Sequence, residues 1–287
     1  MTWPNFFIVG ATRSGTTSFY EYLQQTSGIF MSAIKEPSFF APSINRRQPI
    51  QNKENYLELF SKAKSDQPIG EASTRYLIDP KSAELIKNTI PNAKIIILLR
   101  NPIDRAFSSY LYYLRRENWE SFDIILDKSI KSTLNSDYLL HLIVHGGLYY
   151  EQVKRYIDIF GYNSVKILFY EEFIANIEKS FKEVLEFLEI DSEIPEIIYT
   201  VFNEYKKPKD KISKFILSLD DFIWKLGLKA MIPVFPERKN LEQKFLSTSK
   251  KPKISESDQL RLRNFYKEDV TKLQKLLKQD TPWNSFN

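Results

Sequence analysis

The most constraining feature of this chain is its opening. A short apolar run stops at a glycine, a tight loop closed by a second glycine follows, and then a helical stretch begins. Asn5–Gly10 reads as a buried strand. Ala11–Gly15 is the loop, and Thr16–Gln25 has the composition of a helix. A strand, a glycine-bounded loop and a helix in that order open a parallel α/β unit. The chain has 8 glycines among 287 residues, so a pair placed this closely carries information.

The rest of the chain continues the alternation. Ile69–Glu71 reads as a short strand, and Pro80–Thr89 as a helix capped by Asp79. Ala93–Leu99 is a run rich in β-branched residues, as expected for a strand buried on both faces. Asn101 caps a helix that begins at Pro102 and runs to about Glu117. Leu148–Phe160 is helical by period, Val165–Tyr170 is a strand, and Lys179–Leu188 and Glu256–Lys278 are amphipathic helices. The expected fold is α/β: a P-loop-type central parallel sheet flanked by helices on both faces, in a single domain over residues 1–287. Residues 203–253, lysine-rich with an apolar interior, are expected to form a helical lid or insertion.

Composition excludes several chemistries. With no cysteine there is no disulfide, thiolate nucleophile or cysteine zinc site. His141 and His145 are the only histidines, so a multi-histidine metal centre is not expected. The net charge of +5 suits anionic ligands but does not argue for nucleic acid. No stretch reaches the roughly 18 apolar residues of a membrane helix, and no signal-peptide pattern is seen. A soluble, cytoplasmic protein is therefore the expectation.

The loop Gly10-Ala11-Thr12-Arg13-Ser14-Gly15-Thr16-Thr17 is suited to hold a phosphate. Gly15 lets backbone N–H groups approach an anion, and the helix behind it points its positive end at the same place. Thr16 and Thr17 add hydroxyl donors, and Arg13 adds a forked, permanent cation. The spacing is that of the nucleoside-triphosphatase loop, but Thr16 stands in its lysine slot. The cation is displaced into the loop at Arg13, which suits a group needing less neutralisation and no obligatory metal.

A second anion site follows the strongest strand. Arg100 lies at the carboxyl edge of the sheet, where open α/β folds bind ligands, and Ser108 lies further along the next helix. Here the chain resembles the PAPS-dependent sulfotransferase family, of bacterial and carbohydrate type. RSGTT looks like that family's 5′-phosphosulfate loop, and Arg100 and Ser108 match its 3′-phosphate pair. Lys35–Phe40 looks like the KEPxFF segment and Gly70–Ser73 like GE-x-[ST]. Gly147–Tyr150, Phe160-Gly161, Tyr170–Phe173, Lys250-Lys251-Pro252 and Trp283 follow later landmarks in order. Two departures stand out: many members carry lysine where Arg13 stands, though arginine also occurs in the family, and glycan-modifying relatives carry a second lysine where Ala72 stands and often a histidine where Ser38 stands.

The resemblance implies a sulfuryl transfer from PAPS, leaving PAP, with no metal required. Glu36 would be the base, in an apolar setting supplied by Pro37, Phe39 and Phe40 that raises its pKa. Arg13 would stabilise the sulfuryl and bridging oxygens. Ser14, Gly15, Thr16 and Thr17 would hold the 5′-phosphate, Arg100 and Ser108 the 3′-phosphate, and Lys250 and Lys251 would cover the nucleotide. His145 reads as structural, and Tyr149 is equally a pocket wall or core. The acceptor is expected to be a small molecule or glycan, with a carbohydrate or glycolipid hydroxyl favoured by the KEPxFF-like segment. The apolar, basic stretch Lys211–Lys239 is compatible with an amphiphilic acceptor. A small-molecule kinase and a non-catalytic PAP-binding protein are the competing readings.

Overall fold

A computed structural model describes residues 2–44, 50, 52–64, 66–114, 120–134, 136–190, 206–225, 241 and 244–286. In chain order the elements are β1 (Phe6–Gly10), α1 (Thr16–Gln25), β2 (Phe30–Met31), α2 (Lys53–Glu58), β3 (Ile69–Ala72), α3 (Ser82–Thr89), β4 (Lys94–Leu99) and α4 (Pro102–Leu114). There follow α5 (Phe122–Lys131), α6 (Tyr138–Val144), α7 (Tyr149–Phe160), β5 (Val165–Phe169), α8 (Tyr170–Ala175) and α9 (Ile177–Phe187). The last are β6 (Lys206–Pro208), α10 (Lys211–Lys225), β7 (Leu246–Thr248) and a long α11 (Glu256–Leu277).

The five main strands pair in the order β2-β3-β1-β4-β5, all parallel. Alternation along the strands splits the core into two layers. Phe7, Val9, Ile95, Ile97 and Leu99 face a layer completed by α3, α4, α7 and α11. Phe6, Ile8, Ile96 and Leu98 face the layer of α1, α8 and α9. β4 is therefore apolar from Ile95 to Leu99 because both its faces are covered. The expected parallel sheet with helices on both faces is the observed architecture. From β1 the chain crosses to β2 and β3 on one side, and from β4 to β5 on the other. The crevice between the carboxyl ends of β1 and β4 is the topological switch point.

Some boundaries differ from expectation for local reasons. The helix expected from Pro80 begins at Ser82, because the Asp79 carboxylate accepts from the Lys81 N–H at 2.8 Å and holds a turn there. The helix expected from Lys179 begins at Ile177, where the Asn176 side chain accepts from the Lys179 N–H. Tyr170, expected to end a strand, opens α8. Within the expected lid, β6 and β7 pair antiparallel beside α10. Residues 203–205, 226–240 and 242–243 of that segment, and 115–117 of the expected helix, lie outside the described residues.

Arg105 on α4 is fully buried. Its guanidinium donates to the carbonyls of Leu142 and Ile143, with a longer contact to Val144, closing the end of α6. Gly146 packs closely beside it, and a Cβ there would lie 3.1 Å from Arg105 Nη1. Arg105→Met is expected to destabilise the fold by about 1–3 kcal/mol for each carbonyl left unpaired, measured by denaturant unfolding.

Candidate active site

The anion loop is shaped by contacts on either side of it. Gly10 packs under Leu77, where a Cβ would approach that side chain to 2.6 Å. Gly15 has φ +85°, and a Cβ on it would meet the Tyr170 ring at 2.8 Å. α1 starts without a capping side chain and without an acidic residue in its first turn, so its N–H groups face the loop undiluted. Ser14 and Thr16 are buried, while Thr17 is half-buried.

Three cations gather over this loop. Arg13, in the left-handed region at φ 69°, donates from Nε to Ser108 Oγ at 3.3 Å and lies over the Tyr112 ring. Arg100 donates from Nη1 to the Arg13 carbonyl at 3.1 Å and lies over the Tyr170 ring. Its carbonyl accepts from the Tyr149 hydroxyl, so Tyr149 is a fully buried support for Arg100. The Nε of Arg100 is buried without a hydrogen-bond partner among the described residues. Lys251 is held below its ordinary pKa, first by lost hydration and then by Arg100 and Arg13, with Asp104 opposing. Lys250 is exposed. Arg13, Arg100 and Ser108 thus line one basin beside the loop, and Lys251 lies close enough to feel both arginines. An anion fits the basin, because Arg100 Nε has no acceptor among the described residues.

Glu36 sits beside this basin at φ 64°, its side chain one-third exposed. Its N–H donates to the Ala72 carbonyl at 2.8 Å, and the Ser38 N–H donates to Ser73 Oγ at 2.9 Å. The Lys35–Phe40 turn is therefore stitched to the end of β3. The Glu36 carboxylate accepts from the Thr74 N–H and the Thr74 hydroxyl, both at 2.9 Å. The Thr12 hydroxyl donates to Thr74 Oγ1 at 3.2 Å, which joins the anion loop to the carboxylate. Lys35 Nζ pairs with Glu36 Oε1 at 2.9 Å.

The expected raised pKa of Glu36 is not what the structure gives. Burial pushes it up, but Lys35, Arg75 and the Thr74 hydroxyl outweigh that and hold the carboxyl below its ordinary value. Phe39 and Phe40 pack instead against Trp3 and Tyr56, and Phe40 also against Phe7. The raised carboxyl is Glu71, pushed to about 7 by complete burial. It accepts from Ser73 Oγ, Tyr56 and Tyr76 at 2.5, 2.5 and 3.1 Å.

Several participants escaped the sequence reading. Thr12, Thr74, Arg75, Tyr112 and Tyr138 border Glu36 or Arg13, and Arg75 lies over the Tyr138 ring. The available signal was adjacency: Thr74-Arg75 directly follows the Gly70–Ser73 segment. Arg75 brings a cation toward Glu36 in a chain that carries Ala72 nearby. His145 lies elsewhere, stacked on His141 at 4.2 Å with Nε2 against the Ser129 and Ile130 carbonyls. Later landmarks act as braces. Glu171 accepts from the Asn101 N–H and from Trp283 Nε1, tying the start of α4 to the C-terminal segment.

Residues 4–274 match the family described as the sulfotransferase domain. The chain is 26% identical over 275 residues to carbohydrate sulfotransferase 15 of Mus musculus, covering 72% of this chain and 48% of that one. It is 32% identical over 112 residues to the membrane-associated sulfotransferase kil1 of Dictyostelium discoideum, covering 39% of this chain and 23% of that one. The chain spans about half the length of the carbohydrate sulfotransferase it matches. A crystal structure of a sulfotransferase from Alicyclobacillus acidocaldarius superposes with a TM-score of 0.74 at 27% identity, covering 98% of both chains.

Glu71 gives a pH signature. Its folded pKa, about 7, lies above its ordinary 4.5, so the folded state binds more protons than the unfolded state between them. Stability must then fall as pH rises from about 4.5 to about 7, by at most about 1.36 kcal/mol per pH unit. Glu71→Gln is expected to flatten that slope in denaturant unfolding measured across the same range.

Proposed function

We propose that this chain, which belongs to the sulfotransferase domain family, transfers a sulfuryl group from PAPS to an acceptor hydroxyl, in line and with Glu36 as base. The observation that carries this reading is the link from the anion loop to the carboxylate, Thr12 to Thr74 to Glu36. It holds a carboxylate at the edge of the cationic basin, which supports its reading as the proton acceptor.

PAPS, when bound, supplies the activated sulfuryl group. The residues that would hold it are Ser14, Gly15, Thr16 and Thr17 with the first turn of α1 for the 5′ end. Arg100, Ser108 and Lys251 would hold the 3′-phosphate, with Lys250 above them. Arg13 faces both Ser108 and the loop, and would neutralise charge developing at the transferring group. Glu36 would take the acceptor's hydroxyl proton. Thr74 fixes its carboxylate through two hydrogen bonds, so little reorganisation is needed when the proton moves. Lys35 and Arg75 keep it ionised.

The acceptor we favour is a carbohydrate or glycolipid hydroxyl. The Lys35–Phe40 segment and the match to a carbohydrate sulfotransferase support this. Tyr112 and Tyr138, over which Arg13 and Arg75 lie, offer aromatic faces beside the base. A cytoplasmic setting fits the absence of cysteine. Labelled PAPS incubated with a panel of oligosaccharides, glycolipids and phenols tests the reading. Transfer to none of them, or transfer to phenols only, overturns the acceptor assignment.

PAP is expected to stabilise the chain by about 2.7 kcal/mol at a hundredfold excess over its dissociation constant, seen as a thermal shift that ATP does not match. Arg100→Ala should weaken PAP binding by roughly 1.5–3 kcal/mol in calorimetry.

Glu36→Gln is expected to lower kcat by about 10²–10⁴-fold while PAP affinity holds. Because Glu36 is held below 4.5, kcat/KM should show no Glu36 limb near neutral pH. Arg75→Met removes one of the cations that keep it low, so an acidic limb should move upward in the pH profile. An unchanged profile would exclude Arg75 from tuning the base.

A further inference from the structure

The segment from β6 to β7 carries a surface that the chemistry above does not use. α10 is two-sided. Its inner face presents Ser213 and Leu217, both buried, and Leu217 packs with Leu241 and Leu246 in a small cluster separate from the two main layers. Its outer face presents Ile212, Phe215 and Leu219, which are 71%, 68% and 40% exposed. These positions are spaced i, i+3 and i+7, so they form one stripe along the helix. The other large exposed apolar side chains among the described residues, such as Leu85, Ile124, Ile174 and Leu260, each stand alone on a different element.

Charge tells what would cover the stripe. Residues 203–253 hold 13 Lys and Arg against 6 Asp and Glu, a net +7, whereas the whole chain is +5. The rest of the chain is thus slightly acidic, and this segment carries the entire basic excess. Lys207 and Lys211 are exposed next to the start of the stripe. An exposed apolar stripe on a helix bordered by lysines has the make-up of an interfacial helix, which lays its apolar side chains among acyl chains while its cations meet anionic headgroups. A second copy of the chain fits poorly, because pairing through this stripe would bring two basic segments together.

We propose that the outer face of α10 docks on an anionic lipid bilayer. The same segment runs through β7 to Lys251, which stands over Arg100 and Arg13. The docking itself depends on no assignment of the reaction.

The full chain, sedimented with vesicles of phosphatidylcholine alone or of phosphatidylcholine with phosphatidylglycerol, tests this. Binding is expected only to the anionic vesicles and should weaken as salt is raised. Phe215→Ser should lower the partition coefficient at least about tenfold. Each of Lys207→Gln and Lys211→Gln should lower it about fivefold. Ile174→Ser, which alters an exposed side chain on α8, should change nothing. Phe215→Ser should also keep the parent's thermal shift with PAP, which separates lost docking from lost folding. No binding to anionic vesicles, equal binding to neutral ones, or equal binding by Phe215→Ser overturns the proposal. So does a concentration-dependent dimer that Phe215→Ser abolishes, since the stripe would then belong to a second copy. None of these outcomes bears on sulfuryl transfer, which is read separately with labelled PAPS.

Discussion

Everything at this site depends on holding cations together. Arg13, Arg100 and Lys251 repel one another; the pKa of Lys251 is lowered first by lost hydration and further by the two arginines. The scaffold offsets it with contacts that do not neutralise charge. The Arg13 carbonyl accepts from Arg100, the Arg100 carbonyl accepts from Tyr149, and Tyr170 lies under the Arg100 guanidinium. Tyr149 is itself fixed, because Asp269 on α11 accepts from its N–H at 2.7 Å. Asp269 is raised to about 6, chiefly by burial, even though the Tyr149 and Tyr150 N–H groups favour its charged form. A helix far along the chain thereby positions a guanidinium at the end of β4. The positive field is preorganised, and an incoming polyanion meets it without rearranging the fold.

Much of this was legible in the sequence because the fold's central elements are locally consistent. The β4 run is apolar at every position after Lys94 because two layers bury it, and that doubles as its sequence signature. The anion loop was readable because only glycine suits the φ of +85° at Gly15 under the Tyr170 ring. The short elements were not readable. β2 has two residues, and α2 has six. Neither is long enough to show a period, and both exist through partners distant in sequence. Arg105 illustrates the same limit. In sequence it is one more charge on an amphipathic helix. Its burial follows from carbonyls some 37 residues away, which only the packed structure brings to it.

The division of labour between two carboxyls follows from what each one's oxygens are doing. Glu71 has the raised pKa that a general base is often given, yet it is enclosed completely, and three hydroxyls occupy its oxygens. It locks Tyr56 and Tyr76 into the core and, through Ser73, holds the Ser38 N–H. Glu36 has the lower pKa but keeps a third of its side chain open to solvent beside the basin. Geometry decides before acidity does, since a base must reach the proton it removes. A low pKa costs driving force for proton transfer, but it guarantees that the carboxylate is ionised whenever the acceptor arrives. An acceptor that covers Glu36 also strips its remaining water, and desolvation is the contribution that raises its pKa. In the role proposed for it, Glu36 thus gains basicity as the site fills. It stands as a carboxylate when open and gains basicity only once an acceptor is seated over it, so substrate binding itself brings the proton acceptor toward its working strength.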